Sequence, residues 1–150
     1  MKSDNQACPP VFTSHSAEET EVLAQQLALL IQKGDVVLLE GPLGAGKTTF
    51  AKALIASLAK IDPYLVASPT FTYMNQYTGQ PPIHHFDLYR IDNDLQLESL
   101  GLLDFINEEC ISIIEWPQKV RQVAKLGTIT ISLSYIDAQT RTISIKRLNT

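Results

Sequence analysis

The chain has 150 residues, 45% hydrophobic and 19% charged, with a formal net charge of −4. A chain of this length buries about 68–70% of its unfolded surface, so one domain spanning residues 1–150 is expected. The acidic balance argues against strong direct nucleic-acid binding, and no apolar run approaches the roughly 20 residues that span a bilayer.

Residues 1–12 read as a loose arm that ends near Pro9-Pro10. The polar start, Met1-Lys2-Ser3-Asp4, has no apolar signal core. Cys8 and Cys110 have neither metal spacing nor a disulfide framework, which fits a cytoplasmic protein. Ser16-Ala17-Glu18-Glu19 has the form of a capping box. Val22, Leu23, Leu27, Leu30 and Ile31 then recur at helical spacing, and Lys33-Gly34 offers a stop. This helix is expected to pack on the core; a nucleotide contact from its first turn is the alternative.

Val36-Val37-Leu38-Leu39 is a short β-branched and apolar run that reads as a strand, and residues 50–60 are rich in helix formers. Between them stands Gly41-Pro42-Leu43-Gly44-Ala45-Gly46-Lys47-Thr48, the pattern G-x-x-x-x-G-K-T, followed by Thr49. Strand, glycine-rich loop, then helix is the setting of a P-loop. Backbone N–H groups of Gly44, Ala45, Gly46, Lys47, Thr48 and Thr49 are expected to cradle phosphates at the helix N-terminus. Lys47 reaches the β- and γ-phosphates of ATP, and the Thr48 hydroxyl suits a bridging Mg2+. Pro42 removes one N–H from the loop, ahead of the Gly44–Thr49 donors expected nearest the phosphates, so little is lost.

Asp62-Pro63 breaks the chain, and the second half of residues 66–77 reads as a strand. Ser68-Pro69-Thr70 ahead of it is a stiff polar turn; its hydroxyls could sense the γ-phosphate or the metal as a switch loop does. Thr78-Gly79-Gln80-Pro81-Pro82 joins that strand to the next as a hairpin. In residues 83–90, strand alternation puts His85, Asp87 and Tyr89 on one face and His84, Phe86 and Leu88 on the other. An acidic residue in an apolar strand needs a partner, which makes Asp87 a candidate for Mg2+ or its water. The paired histidines lack a third ligand at metal spacing.

Residues 94–101 read as a short helix with a glycine stop, and Leu102, Leu103, Phe105 and Ile106 continue an apolar face. Residues 110–116 are a buried strand ending in Glu115-Trp116, the form of a Walker B segment, whose carboxylate holds or orients Mg2+. Spacing leaves open whether Asp87 or Glu115 is the inner ligand. Residues 129–135 and 141–147 alternate around a polar turn and make a hairpin. The expected fold class is α/β, with a mostly parallel P-loop NTPase-like sheet, flanking helices and a C-terminal antiparallel hairpin.

G-x-L-G-A-G-K-T-T at 41–49, S-P-T-F-T at 68–72, H-F-D-L-Y-R at 85–90, E-x-x-G at 98–101 and E-W-P at 115–117 follow in that order. Over residues 13–119 the chain resembles the bacterial tRNA threonylcarbamoyladenosine biosynthesis ATPases, the TsaE family. Pro42 stands where that family often has Asp. The resemblance implies an ATPase that acts with two partner proteins, which install the threonylcarbamoyl group on the adenosine next to the anticodon. ATP binding would support assembly, and hydrolysis would reset the complex. Leu43 to Thr49 would bind the phosphates, Thr48 and Glu115 would hold Mg2+, and Asp87 would act at the hydrolytic water or in the metal's outer shell. Thr70 would belong to a switch-like loop, and Trp116 would lie near the nucleotide or the partner surface. Arg90, Arg121, Arg141 and Arg147 are scattered, with no evident finger, so slow turnover without partners is expected. The alternatives are a small-molecule kinase and a nucleotide switch that does not hydrolyse ATP.

Overall fold

A computed structural model of the chain describes residues 10–148. Most of the expected N-terminal arm, residues 1–9, lies outside the described residues. Its end is not loose: Val11–Ser14 forms strand β1, paired antiparallel with the last strand. Pairing with a distant strand is invisible to local pattern, so residues 11 and 12 belong to the sheet rather than to an arm.

Helix α1 (Ala17–Ala28) starts where the cap predicted. Ser16 is extended, and its Oγ accepts from the Glu19 N–H at 3.1 Å. The reciprocal half of the box is absent: the Glu19 carboxylate accepts instead from the His15 N–H at 2.7 Å. The helix ends five residues short of Lys33, because Leu30 and Ile31 turn through tighter N–H contacts to Leu27 and Ala28. Ile31 still reaches the core.

Strand β2 (Val36–Glu40) feeds helix α2 (Lys47–Ala59), which starts three residues earlier than helix-former content suggested. Strands β3 (Met74–Tyr77) and β4 (Ile83–Asp87) make the expected hairpin. Helix α3 (Asp94–Ser99), strand β5 (Ile111–Glu115), helix α4 (Arg121–Ala124) and the hairpin β6 (Ile129–Tyr135) with β7 (Arg141–Arg147) complete the order. Among the described residues no helix is long and apolar enough to cross a membrane.

The seven strands of the described residues form one sheet in the order β1-β7-β6-β2-β5-β4-β3. Its four central strands, β6-β2-β5-β4, run parallel. Both edges are antiparallel, so the fold is α/β with a parallel centre. Alternation sorts the two faces even in the fully buried strands. Val37, Leu39, Ile111, Ile113 and Ile83 face the α1–α2 core, while Val36, Leu38, Ile114 and Phe86 face α3 and α4. Each such side chain contributes roughly 1.5–3 kcal/mol on burial. The period also decides which polar side chains meet: His85, Asp87 and Glu115 share the face that carries α2, at the carboxyl ends of the parallel strands.

Candidate functional site

At the end of β2 the chain turns through Gly41, whose φ is +150°. A Cβ there would collide with the Leu133 carbonyl oxygen, so only glycine lets the loop pass β6. The Pro42 carbonyl accepts from the Ala45 N–H at 3.2 Å and from Lys47 Nζ at 3.1 Å. The ring that removed a donor therefore still closes the loop through its acceptor. Lys47 Nζ also donates to the Gly41 carbonyl. Gly46, with φ +97°, caps α2 without a side-chain acceptor. The first N–H groups of α2 thus point outward at the positive end of the helix.

Glu115 at the end of β5 links three elements. Its Oε1 accepts from Thr48 Oγ1 at 3.2 Å, and its Oε2 lies 2.8 Å from His85 Nε2. Across the parallel register, Asp87 stands beside Glu115 and accepts from the Tyr89 N–H at 3.0 Å. Burial pushes the Asp87 carboxyl up; the Glu115 charge adds to this, against the Tyr89 N–H, His85 and the Thr70 hydroxyl. Lys47 shows the complementary effect: burial lowers its ammonium, and the charges of Glu115 and Asp87 only partly restore it. Two desolvated carboxylates and one desolvated ammonium form a site poised for anionic phosphate and a cation.

Trp116 follows Glu115 in a left-handed conformation, φ 59°. That turn lays its ring 3.5 Å from Lys47 Nζ and 5.0 Å, centroid to centroid, from Tyr89. Leu43 to Thr49, Asp87, Glu115, Trp116 and Arg141 line a cavity of about 530 Å³. Ser68 and Thr70 line the same cavity, with their hydroxyls 3.1 Å apart. The structure therefore brings together every site residue that the sequence singled out. A second cavity of about 360 Å³ adjoins it across Gly46, Thr49 and Arg141. His15, Ser16 and Glu18 at the start of α1 form one wall, and Ala138 and Gln139 of the β6–β7 turn form the other. The first turn of α1 thus stands beside the loop.

Two residues escaped sequence reasoning. Arg141 is one of four scattered arginines in the sequence; the β6–β7 turn carries it back to the loop, where Asp137, Ala138 and Thr140 carbonyls hold its guanidinium at 2.7–3.3 Å. By sequence, His85 is one half of a histidine pair. The pair splits: His84 Nδ1 lies 2.7 Å from the Phe105 carbonyl on the opposite face, while His85 meets Glu115. Strand alternation carried the signal, had it been combined with the register of β5.

Among the described residues no three His, Cys, Asp or Glu side chains form a metal cage of their own. Mg2+ does not require one, since it takes one or two protein oxygens and completes its shell with phosphate and water. The Thr48 hydroxyl and the Glu115 carboxylate, already in contact beside Lys47, are the hard oxygen donors that such an ion takes.

The family described as "Threonylcarbamoyl adenosine biosynthesis protein TsaE" matches residues 14–143. The chain is 37% identical over 133 residues to the tRNA threonylcarbamoyladenosine biosynthesis protein TsaE of Aquifex aeolicus, covering 88% of this chain and 92% of that one. It is 38% identical over 106 residues to the protein of the same name in Bacillus subtilis, covering 70% and 65%. The crystal structure of Bacillus subtilis YdiB superposes with a TM-score of 0.71 at 27% identity, over 93% of this chain and 86% of that one.

Proposed function

The chain belongs to the TsaE family of tRNA threonylcarbamoyladenosine biosynthesis proteins, and from that premise we propose that it is a Mg2+-dependent ATPase. It acts with two partner proteins in threonylcarbamoylation of the adenosine next to the anticodon. ATP binding supports assembly with them and hydrolysis resets the complex. The whole of residues 1–150 serves as one P-loop ATPase domain, working in the cytoplasm where tRNA and ATP are found. The observation that carries this reading is the convergence of Lys47, Thr48, Asp87 and Glu115 on one cavity at the N-terminus of α2.

The N–H groups of residues 43–49 hold the phosphates, and Lys47 neutralises charge that develops on them. The base and ribose extend toward Arg141 and the first turn of α1, in the adjoining cavity. Thr48 and Glu115 hold Mg2+, which supplies electrostatic stabilisation of the phosphate oxygens when bound. Asp87 orients the attacking water, and a carboxyl raised by burial is the better proton acceptor. Ser68 and Thr70, on the cavity wall, respond to the γ-phosphate as a switch loop.

The test is ATP hydrolysis by the purified protein, alone and with the two partner proteins. Turnover well below the roughly 1–100 s⁻¹ of kinases is expected alone, with strong stimulation by partners. Lys47→Ala is expected to lower the stimulated rate by about 10²–10³. Equal turnover with and without the partners would separate the protein from that assembly.

A further inference from the structure

We propose that His85 is the positioning residue that orients Glu115 for Mg2+, an inference that rests on the Mg2+-nucleotide reading above. His85 has 0% exposure and sits on the apolar face of β4, with Ile83 before it and α2 above. Burying an imidazole in such a place costs free energy unless its polar atoms are bonded. Nδ1 has no hydrogen-bond partner among the described residues. Nε2 makes one contact, at 2.8 Å to Glu115 Oε2. An apolar side chain would suit the core better, so what the histidine adds is that one bond.

The bond divides the labour of the carboxylate. Oε2 is tied to His85 from below, inside the sheet. Oε1 is thereby turned outward to Thr48 Oγ1, at 3.2 Å. A glutamate has three side-chain torsions, and freezing them in advance removes an entropic cost that metal binding would otherwise meet. The parallel register makes the arrangement possible: Asp87 stands opposite Glu115, and His85, two residues back on the same face, is one pleat deeper. The Nε2–H donates to Oε2, so the carboxylate stays in place while Oε1 keeps its lone pairs for the cation. Outer partners of this kind typically change metal affinity by about 10–100-fold when removed.

The experiment measures, by calorimetry, the affinity for a non-hydrolysable ATP analogue in Mg2+ and in EDTA. The ratio is the metal-dependent gain. His85→Leu is expected to cut the gain about 10–100-fold, while affinity in EDTA stays within about twofold. His85→Gln places an amide nitrogen near the former Nε2 and is expected to restore most of the gain; His85→Asn places it near Nδ1 and is not. A gain in His85→Leu equal to wild type would overturn the proposal. Should that variant fail to fold by circular dichroism, the two amide variants decide, and equal gains in Gln and Asn would overturn it. Absence of any gain in the wild-type protein would sink the Mg2+-nucleotide reading and this inference with it. A wild-type gain left intact by the variants would sink this inference alone.

Discussion

Asp87 shows how one residue can be wrong for stability and right for a site. Burial and the neighbouring Glu115 charge hold its carboxyl above the ordinary value of 3.8. The unfolded chain loses this proton more readily than the folded one, so stability is full below the ordinary value and falls as pH rises through the raised one. Asp87→Asn removes that penalty. It is expected to be about 0.5–2 kcal/mol more stable than wild type at neutral pH, with the difference vanishing toward acid, and to have lost ATP turnover. Urea titrations at several pH values and the hydrolysis assay check both halves. The sequence marked Asp87 because an acid in an apolar strand is anomalous. It did not mark His85, whose role appears only when β4 lies beside β5 in register.

Between elements, the connections hold where distant segments share a polar anchor. Asp35, just before β2, accepts from the Gln32 N–H at 2.8 Å, from Thr128 Oγ1 at 2.9 Å and from Arg147 at 3.0 Å. Burial pushes its carboxyl up, but these donors outweigh burial and hold it below its ordinary value. One carboxylate thereby ties the end of α1 to β2, β6 and β7, at the end of the sheet away from the P-loop. Asp35→Ala is expected to cost about 1.5–3 kcal/mol in thermal or urea unfolding at neutral pH. The same contribution in wild type is lost as pH falls below 3.8 toward the lowered value, opposite in sign to Asp87. The capping box shows the limit of local reading. Ser16 starts α1 as the pattern requires, yet Glu19 turns to His15, because a neighbouring N–H outside the helix was in reach.

The whole sheet is built from the centre outward. Strands β2 and β5 are paired on both sides and buried on both faces, whereas among the described residues β1 and β3 each have one partner. Amide exchange is expected to follow this order, with β2 and β5 exchanging through global opening and β3 through local opening at lower free energy. Hydrogen exchange read residue by residue tests this; uniform protection across the sheet would contradict it. Placing the P-loop at the end of β2 puts the site on a central strand paired on both sides. The loop carrying Ser68 and Thr70 leads instead into the edge strand β3.

By itself the sequence determined the P-loop, the strand–helix alternation, the Ser16 cap and the acidic residues at Asp87 and Glu115. Each rests on local chemistry: a glycine pattern, a period of two or 3.6, or a charge out of place. Tertiary structure alone decided that β1 joins the sheet at its edge, that Arg141 returns to the loop, and that His85 reaches Glu115 while His84 turns away. Those contacts join residues far apart in the chain, and their distances follow from strand order and register. No window of neighbouring residues contains that information.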